Sequence, residues 1–223
     1  MAVIQIGKFR LAGWRASVVL FCFGILLASW FVYHPLRINP PVLLSILGFL
    51  AFNAYWGAAA KNSSPTQQSE TPQSRRVHQY LLSAALILVF IPIPGLQLRF
   101  LPDTNTVIAT GLTIEAICGA LGVWARRHLG AQWSGEITIK VDHQLIRSGP
   151  YRILRHPIYT ALLLLYLGTA IVCGELHALL GLAVAIAAFL RKIRLEEANL
   201  LRAFSAGYRE YRGETWALIP RVF

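Results

Sequence analysis

The run from Pro157 to Leu190 holds a single acid, Glu175, and no lysine, arginine or aspartate. Such a segment suits the hydrocarbon of a bilayer, which about 20 apolar residues cross as a helix. It is too long for one crossing, and the CGELH at its middle supplies the polar break of a helical hairpin. Four further stretches have span character: Ser17 to Tyr33, Pro41 to Ala60, His78 to Leu96 and Thr106 to Arg126. The prolines of HPLRINPP separate the first two, and the turn-like LPDTN precedes the fourth. Hydrophobic residues make up 56% of the 223 and charged ones 14%, a balance foreign to soluble domains. The expected fold class is all-α: a polytopic membrane helix bundle of six transmembrane helices, or five if one segment is re-entrant, with a C-terminal helical hairpin.

Orientation follows from the lysines and arginines near the span ends, which cytoplasmic loops retain. With the N-terminus inside, only Arg37 and Arg99 face outward, while Lys8, Arg10, Arg15, Lys61, Arg75, Arg76 and every basic residue from Arg126 onward lie inside. A multi-pass integral membrane protein with both termini cytoplasmic is expected. The formal charge of +11 is spread along the span borders, where anionic lipid headgroups account for it and no nucleic-acid partner is needed. The first apolar run has span length and no small-residue cleavage site after it, so it reads as an anchor and not a signal peptide. Cys22, Cys118 and Cys173 fall inside the spans without metal-ligand spacing; they read as small packed hydrophobes, and no metal site is expected. Asn62 to Ser74, rich in Ser, Gln and Pro, reads as a flexible cytoplasmic linker. It lies in an N-terminal membrane part, residues 1–104, ahead of a core at 105–223.

Most of the polar chemistry lies beyond Arg126. A chain that leaves the bilayer there and re-enters at Pro157 brings RILRHP to the same membrane face as RKIRLEE, on the last helix. Pro157 suits a first helical turn, where its missing N–H costs nothing. His156 then stands at a helix entrance, where free amides and the dipole favour an anionic group. Lys192 and Glu196, four apart, share a side of the continuing helix, as do Arg194 and Glu197, three apart. Each feature has a plain reading alone: Arg152 and Arg155 as phosphate anchors, Tyr151 and Tyr159 as an aromatic belt, RKIRLEE as a solvated helix with internal ion pairs. Their convergence on one hairpin is what marks a site. Glu115 sits near the middle of the fourth span, where an ionisable group is costly and a role is expected. It either bonds a neighbouring helix or lines the path of a lipophilic ligand. Gly111, Gly119 and Gly122 on the same helix allow close packing.

GPYRILRHPIY, followed by KIRLEEANLLRAFSAGYREYRGETWALIP, resembles the isoprenylcysteine carboxyl methyltransferase family of integral membrane enzymes. The resemblance covers Leu121 to Pro220: GxY, RHPxY, a Glu-Glu pair, F-x-x-x-Y-x-x-Y and a closing LIP, in order. The upstream LGVWARRHLGAQWS matches more loosely, and the first two spans carry no such signature. The resemblance implies S-adenosyl-L-methionine as methyl donor, bound in a cytoplasmic pocket by His143, Gln144, Leu145, Ile146, Tyr151, His156, Pro157, Ile158, Tyr159 and Glu196, with Glu197 adjacent and Glu136 in a less closely matched position. It also implies that Arg155 and Lys192 or Arg194 face the carboxylate of a lipophilic acceptor arriving from the bilayer, of isoprenylcysteine type or another lipid carboxylate. The family commonly has arginine where Lys192 stands, and lysine offers a point charge in place of a bidentate fork.

The residue types suit such a reaction. A sulfonium donor that also carries an ammonium and a carboxylate asks for an acid, for hydrogen-bond donors and for aromatic faces, which Glu196, the His156 entrance and Tyr151 or Tyr159 supply. Methyl transfer is an in-line displacement in which charge disappears, so a dry and aligned site matters more than a strong acid or base. A carboxylate is ionised at pH 7 and needs no base; an amine would have to lose a proton to His156 or a glutamate. The alternatives are a phospholipid N-methyltransferase, a sterol-type reductase binding NADPH, and a membrane protein without catalysis.

Overall fold

The structure, a computed structural model, describes residues 4–6, 9–11, 39–60, 66–140 and 144–222. The expected first span, Ser17 to Tyr33, and the candidate ligand His143 lie outside the described residues. Five helices follow in order among them: α1 (Pro40–Ala59), α2 (Pro72–Phe90), α3 (Asn105–Leu129), α4 (Pro157–Cys173) and α5 (Leu176–Glu214). Two short antiparallel ladders accompany them, β1 (Ile4–Ile6) with β2 (Phe9–Leu11), and β3 (Thr66–Ser69) with β4 (Thr138–Lys140).

Local chemistry sets the helix ends. Proline occupies the first turn of α1, α2 and α4, where no amide is missed. The Thr71 hydroxyl caps α2 by accepting from Ser74 N at 3.3 Å, and Thr104 caps α3 by accepting from Val107 N at 3.4 Å. Helix α2 therefore starts ahead of the expected His78, and it stops at Phe90, short of Leu96, because Pro92 and Pro94 cannot continue it. The break in CGELH falls as expected: Gly174 takes a left-handed φ of 67° after α4, and α5 begins at Leu176. The reading of Asn62 to Ser74 as a linker is corrected for its second half. Residues 66–69 pair with β4, Glu70 N donates to Ile137 O at 2.9 Å, and Pro72 opens a helix. Short polar TQQS keeps its backbone groups available for a distant partner, which local composition cannot reveal.

Helices α1, α3 and α5 are long and apolar enough to cross a membrane, and α4 is a shorter apolar helix. Leu43, Leu44, Leu47 and Leu50 of α1 and Ile117 of α3 are exposed, as suits surfaces solvated by lipid. Two backbone approaches fix the bundle. A Cβ on Gly181 would stand 2.7 Å from Val89 N and 2.8 Å from Ala85 O, so α5 lies directly on α2. A Cβ on Gly111 would stand 2.7 Å from Gly168 O, which brings α3 onto α4. Glu115, in that second contact, accepts from Thr169 Oγ1 at 2.8 Å. The main core gathers Phe49, Leu165, Tyr166 and Phe189, with Phe49 edge-on to Phe90 and Tyr166 at 5.4 and 5.3 Å.

The C-terminal part of α5 matters most for the site. The helix is broken at Ser205 (φ 41°, ψ −107°), and the chain beyond Thr215 runs back along the turn before α4. Trp216 N donates to Ile153 O at 3.1 Å, Arg155 N to Trp216 O at 2.8 Å, and His156 N to Ala217 O at 3.1 Å. Thr160 Oγ1 adds a bond to Leu218 O at 2.8 Å. The closing LIP region thus fastens the entrance of α4.

Candidate active site

A cavity of about 610 Å³ opens where α4 begins and α5 passes from its apolar to its charged part, walled by α1, α2 and the segment after α3. Its size falls in the range of roughly 300–1,000 Å³ typical of small-molecule sites.

The α4 wall carries RHPIY. The turn before it needs Gly149, at φ 58°, because a Cβ there would meet the His128 ring at 2.4 Å. His156 stacks on Tyr159 with centroids 5.4 Å apart and planes 7° from parallel. The Tyr159 hydroxyl donates to Glu196 Oε2 at 2.6 Å, and His156 Nδ1 lies 4.0 Å from the same oxygen. Glu197 takes a different task. Its Oε1 accepts from Arg155 Nε at 2.7 Å and lies 3.3 Å from His156 Nε2, while Arg212 Nε approaches Oε2 at 3.5 Å. Glu197 lies beyond the apolar first half of α5. Burial alone would raise its carboxyl, but hydrogen bonds from His156 and Arg155, and the charges behind them, hold it down at about 2. Arg155 further donates to the carbonyls of Arg212 and Thr215, so it secures the C-terminal segment as well as Glu197.

Lys192 is buried on the same side of α5. Its ammonium donates to Gly135 O at 2.9 Å and stands 5.7 Å over the Tyr159 ring. Across the cavity, Arg75 pairs with Glu136 at 2.7 Å. Arg126, buried, donates to Ala59 O at 2.6 Å and Gly130 O at 2.8 Å and covers the Trp133 ring at 4.4 Å, so α1 and α3 are joined at their ends. Trp56 meets Trp133 edge-on at 6.1 Å.

Of the residues singled out from sequence, Glu136, Gln144, Leu145, Ile146, Tyr151, Arg155, His156, Ile158, Tyr159, Lys192 and Glu196 line this cavity. Pro157 is fully buried and Glu197 buried, neither on the lining. Arg194 is exposed and contributes nothing to the cavity. Two residues along a helix turn a side chain through about 200°, so Lys192 and Arg194 could not both face inward. The internal ion pairs of the plain reading of RKIRLEE are not made within 4.0 Å among the described residues: Lys192 donates to Gly135 O, Glu196 accepts from Tyr159, and Glu197 is held by Arg155, His156 and Arg212.

The cavity also takes residues that the sequence reading passed over. His78 and Gln79 come from α2, Trp56 from α1, and Tyr208 and Tyr211 from beyond the Ser205 break. Tyr211 Oη donates to Tyr151 O at 2.7 Å. Tyr208 Oη is buried and has no hydrogen-bond partner among the described residues. Tyr208 and Tyr211 stood in the F-x-x-x-Y-x-x-Y pattern, and His78 is an ionisable residue at a span border; nothing distinguishes Trp56 from a belt tryptophan.

The model of the isoprenylcysteine carboxyl methyltransferase family matches residues 110–202, from α3 through the charged part of α5. The protein-S-isoprenylcysteine O-methyltransferase of Schizosaccharomyces pombe is 32% identical over 82 residues, 36% of this chain and 35% of its own, so the chain matches about a third of that relative. A probable protein-S-isoprenylcysteine O-methyltransferase of Oryza sativa subsp. indica is 33% identical over 147 residues, 65% of this chain and 77% of its own. The solved structure of the eukaryotic intramembrane Ras methyltransferase, an isoprenylcysteine carboxyl methyltransferase, aligns with a TM-score of 0.56 at 18% identity, over 95% of this chain and 88% of that one, and so shares its fold. Sequence match and fold agree with the arrangement of RHPIY and LEE around one cavity, and the chain belongs to the isoprenylcysteine carboxyl methyltransferase family.

Proposed function

We propose that the chain is an integral membrane methyltransferase that uses S-adenosyl-L-methionine to methylate the carboxylate of a lipophilic acceptor, of isoprenylcysteine type or a related lipid acid. The observation that carries this reading is the two-ended cavity. One end is polar, with Glu196, Tyr159, His156 and Tyr208; the other is apolar, with Phe49, Leu82, Leu86 and Leu162 between the helices. A charged donor and a hydrocarbon-tailed acceptor need that combination.

The residues present fit the donor. Glu196 accepts one hydrogen bond from Tyr159, and a carboxylate has capacity for more, which suits an ammonium. The Tyr208 hydroxyl, buried without a partner among the described residues, is a donor in need of an acceptor. Tyr151, Leu145, Ile146 and Ile158 give apolar and aromatic wall. When bound, S-adenosyl-L-methionine supplies an electrophilic methyl group on a sulfonium. Lys192 holds the acceptor's carboxylate in line, excess water is excluded by the aromatic walls, and no proton has to move. Arg155, most of whose donors go to Glu197 and the C-terminal carbonyls, acts as a positioning residue. A carboxylate acceptor is ionised at pH 7 and needs no base, whereas an amine acceptor would have to give up a proton.

The same reading places five or six spans in the membrane, with both termini and the site cytoplasmic and residues 105–223 as the catalytic core. It is tested with purified protein, S-adenosyl-L-methionine tritiated on its methyl group, and N-acetyl-S-farnesylcysteine. Base-labile label in the farnesylated product is expected. Label found only in phosphatidylethanolamine, or none in either, overturns the carboxylate reading.

A further inference from the structure

The chain after α5 runs beside the start of α4 in the same direction, through a parallel bridge between Trp216 and Leu154. Its carbonyls at Trp216, Ala217 and Leu218 accept in turn from Arg155 N, His156 N and Thr160 Oγ1. Each step along this segment is therefore a step along α4. Pro157 opens that helix, and Thr160, three residues in, lies about 4.5 Å further at the helical rise of 1.5 Å per residue. In the membrane placement proposed above, α4 enters the bilayer here, and the segment descends with it to the same surface.

The side chains that the segment leaves uncovered are apolar. Trp216 is 37% exposed, Ile219 53% and Val222 76%, and Ile153, whose carbonyl accepts from Trp216 N, is 51% exposed. Ala217 and Leu218 are buried, so the segment has an inner face on the protein and an outer face without cover among the described residues. Two exposed arginines belong to the same stretches, Arg152 and Arg221, and neither has an ion pair among the described residues. No acid stands between Arg147 and His156 or between Thr215 and Val222. Residues 216–222 take no part in the cavity lining and lie beyond the family match, which ends at 202.

We propose that this outer face docks on the anionic headgroups of the leaflet that α4 enters, and that the contact steadies the entrance of α4. Tryptophan with aliphatic neighbours suits the boundary between headgroups and acyl chains. Arginines near an anionic leaflet are attracted by enough to favour docking about thirtyfold for two of them. A second copy of the chain seated on this face would have to desolvate two unpaired guanidinium groups, whereas lipid phosphate meets them with charge-assisted hydrogen bonds at a wet surface. The docked segment carries the acceptors that hold Arg155, His156 and Thr160, and His156 lines the cavity. Leaflet charge thereby reaches the site. The docking stands without the methyltransferase reading; only the ligand that reports its effect on the site rests on that reading.

The test attaches bimane to Val222→Cys, with label taken up by the unsubstituted protein subtracted, in nanodiscs of phosphatidylcholine with and without phosphatidylglycerol. Part of the phosphatidylcholine carries a nitroxide on its acyl chain, which quenches a dye at that depth. Quenching should be stronger with phosphatidylglycerol, and Arg152→Gln together with Arg221→Gln should remove the difference. High salt should do the same to the protein with both arginines, so the outcome does not depend on how the double variant folds. S-adenosylhomocysteine should bind several-fold tighter in the anionic discs, up to the factor of about thirty that two arginines supply, and equally in the two discs after the double substitution. A dye quenched in neither disc, as when water or a second copy surrounds it, overturns the docking. So does quenching indifferent to phosphatidylglycerol, or a dependence on it that survives both the double substitution and salt. Equal affinity for S-adenosylhomocysteine in the two discs overturns the effect on the site. Should that ligand bind in neither disc while the quenching follows the expected pattern, the docking stands and the proposed function fails.

Discussion

Glu196 and Glu197 are neighbours in the chain and have different work, which only their surroundings reveal. Glu196 faces the cavity and Tyr159, while Glu197 turns to Arg155 and His156. If Glu196 binds the donor's ammonium, Glu196→Gln should weaken S-adenosylhomocysteine binding by roughly 2–5 kcal/mol with the fold intact. Glu210→Gln removes an exposed pair with Arg147, at 3.4 Å, and should cost no more than about 1 kcal/mol of stability and no affinity. Equal affinity in the two variants would remove Glu196 from the site. Glu197 makes a pH-dependent prediction. Its folded carboxyl is held at about 2, below the ordinary value of about 4.3, so its stabilisation is complete above that ordinary value and is lost as pH falls toward the folded one. The melting temperature of the native protein should drop between about pH 4.5 and pH 2 more steeply than that of Glu197→Gln, which carries no proton to take up. Parallel profiles would contradict this. The sequence made the Glu-Glu pair legible as a feature; it could not assign the partners, because Arg155 reaches Glu197 across the α4–α5 hairpin and Arg212 reaches it only beyond the break at Ser205.

Among the elements, the starts of α1, α3 and α4 and the break between α4 and α5 were legible, because prolines, caps and a glycine mark them in the chain itself. The pairing of β3 with β4 was not, since it joins segments with no alternation of their own across a long loop. The break in α5 also left no proline to announce it. Packing between elements turns on small residues. Gly181→Ala would force a Cβ within 2.8 Å of two backbone atoms of α2 and should destabilise the protein by roughly 1–3 kcal/mol, as overpacking does. Gly119→Ala meets nothing within 4 Å on α3 and should leave stability nearly unchanged. Thermal unfolding of both in one detergent decides the matter, and equal melting temperatures would show that α2 and α5 do not approach as closely as described.

At the scale of the whole molecule, the helical membrane character was legible from run length and hydropathy alone, and the cavity was legible on one side only. Its α4 and α5 walls carry motifs, whereas Trp56, His78 and Gln79 reach it from α1 and α2, where nothing in the local sequence separates a lining residue from a lipid-facing one. The orientation proposed from the charge bias predicts that a C-terminal reporter is active only in the cytoplasm; activity only on the opposite face would reverse the topology and put the site outside. The claim on which everything else depends is that the cavity binds a methyl donor. Calorimetric titration of the purified protein with S-adenosylhomocysteine and, separately, with NADPH tests it most directly. Binding of S-adenosylhomocysteine at about micromolar affinity, near −8 kcal/mol, with no heat from NADPH, is the expected result; tight NADPH binding without response to S-adenosylhomocysteine would contradict it.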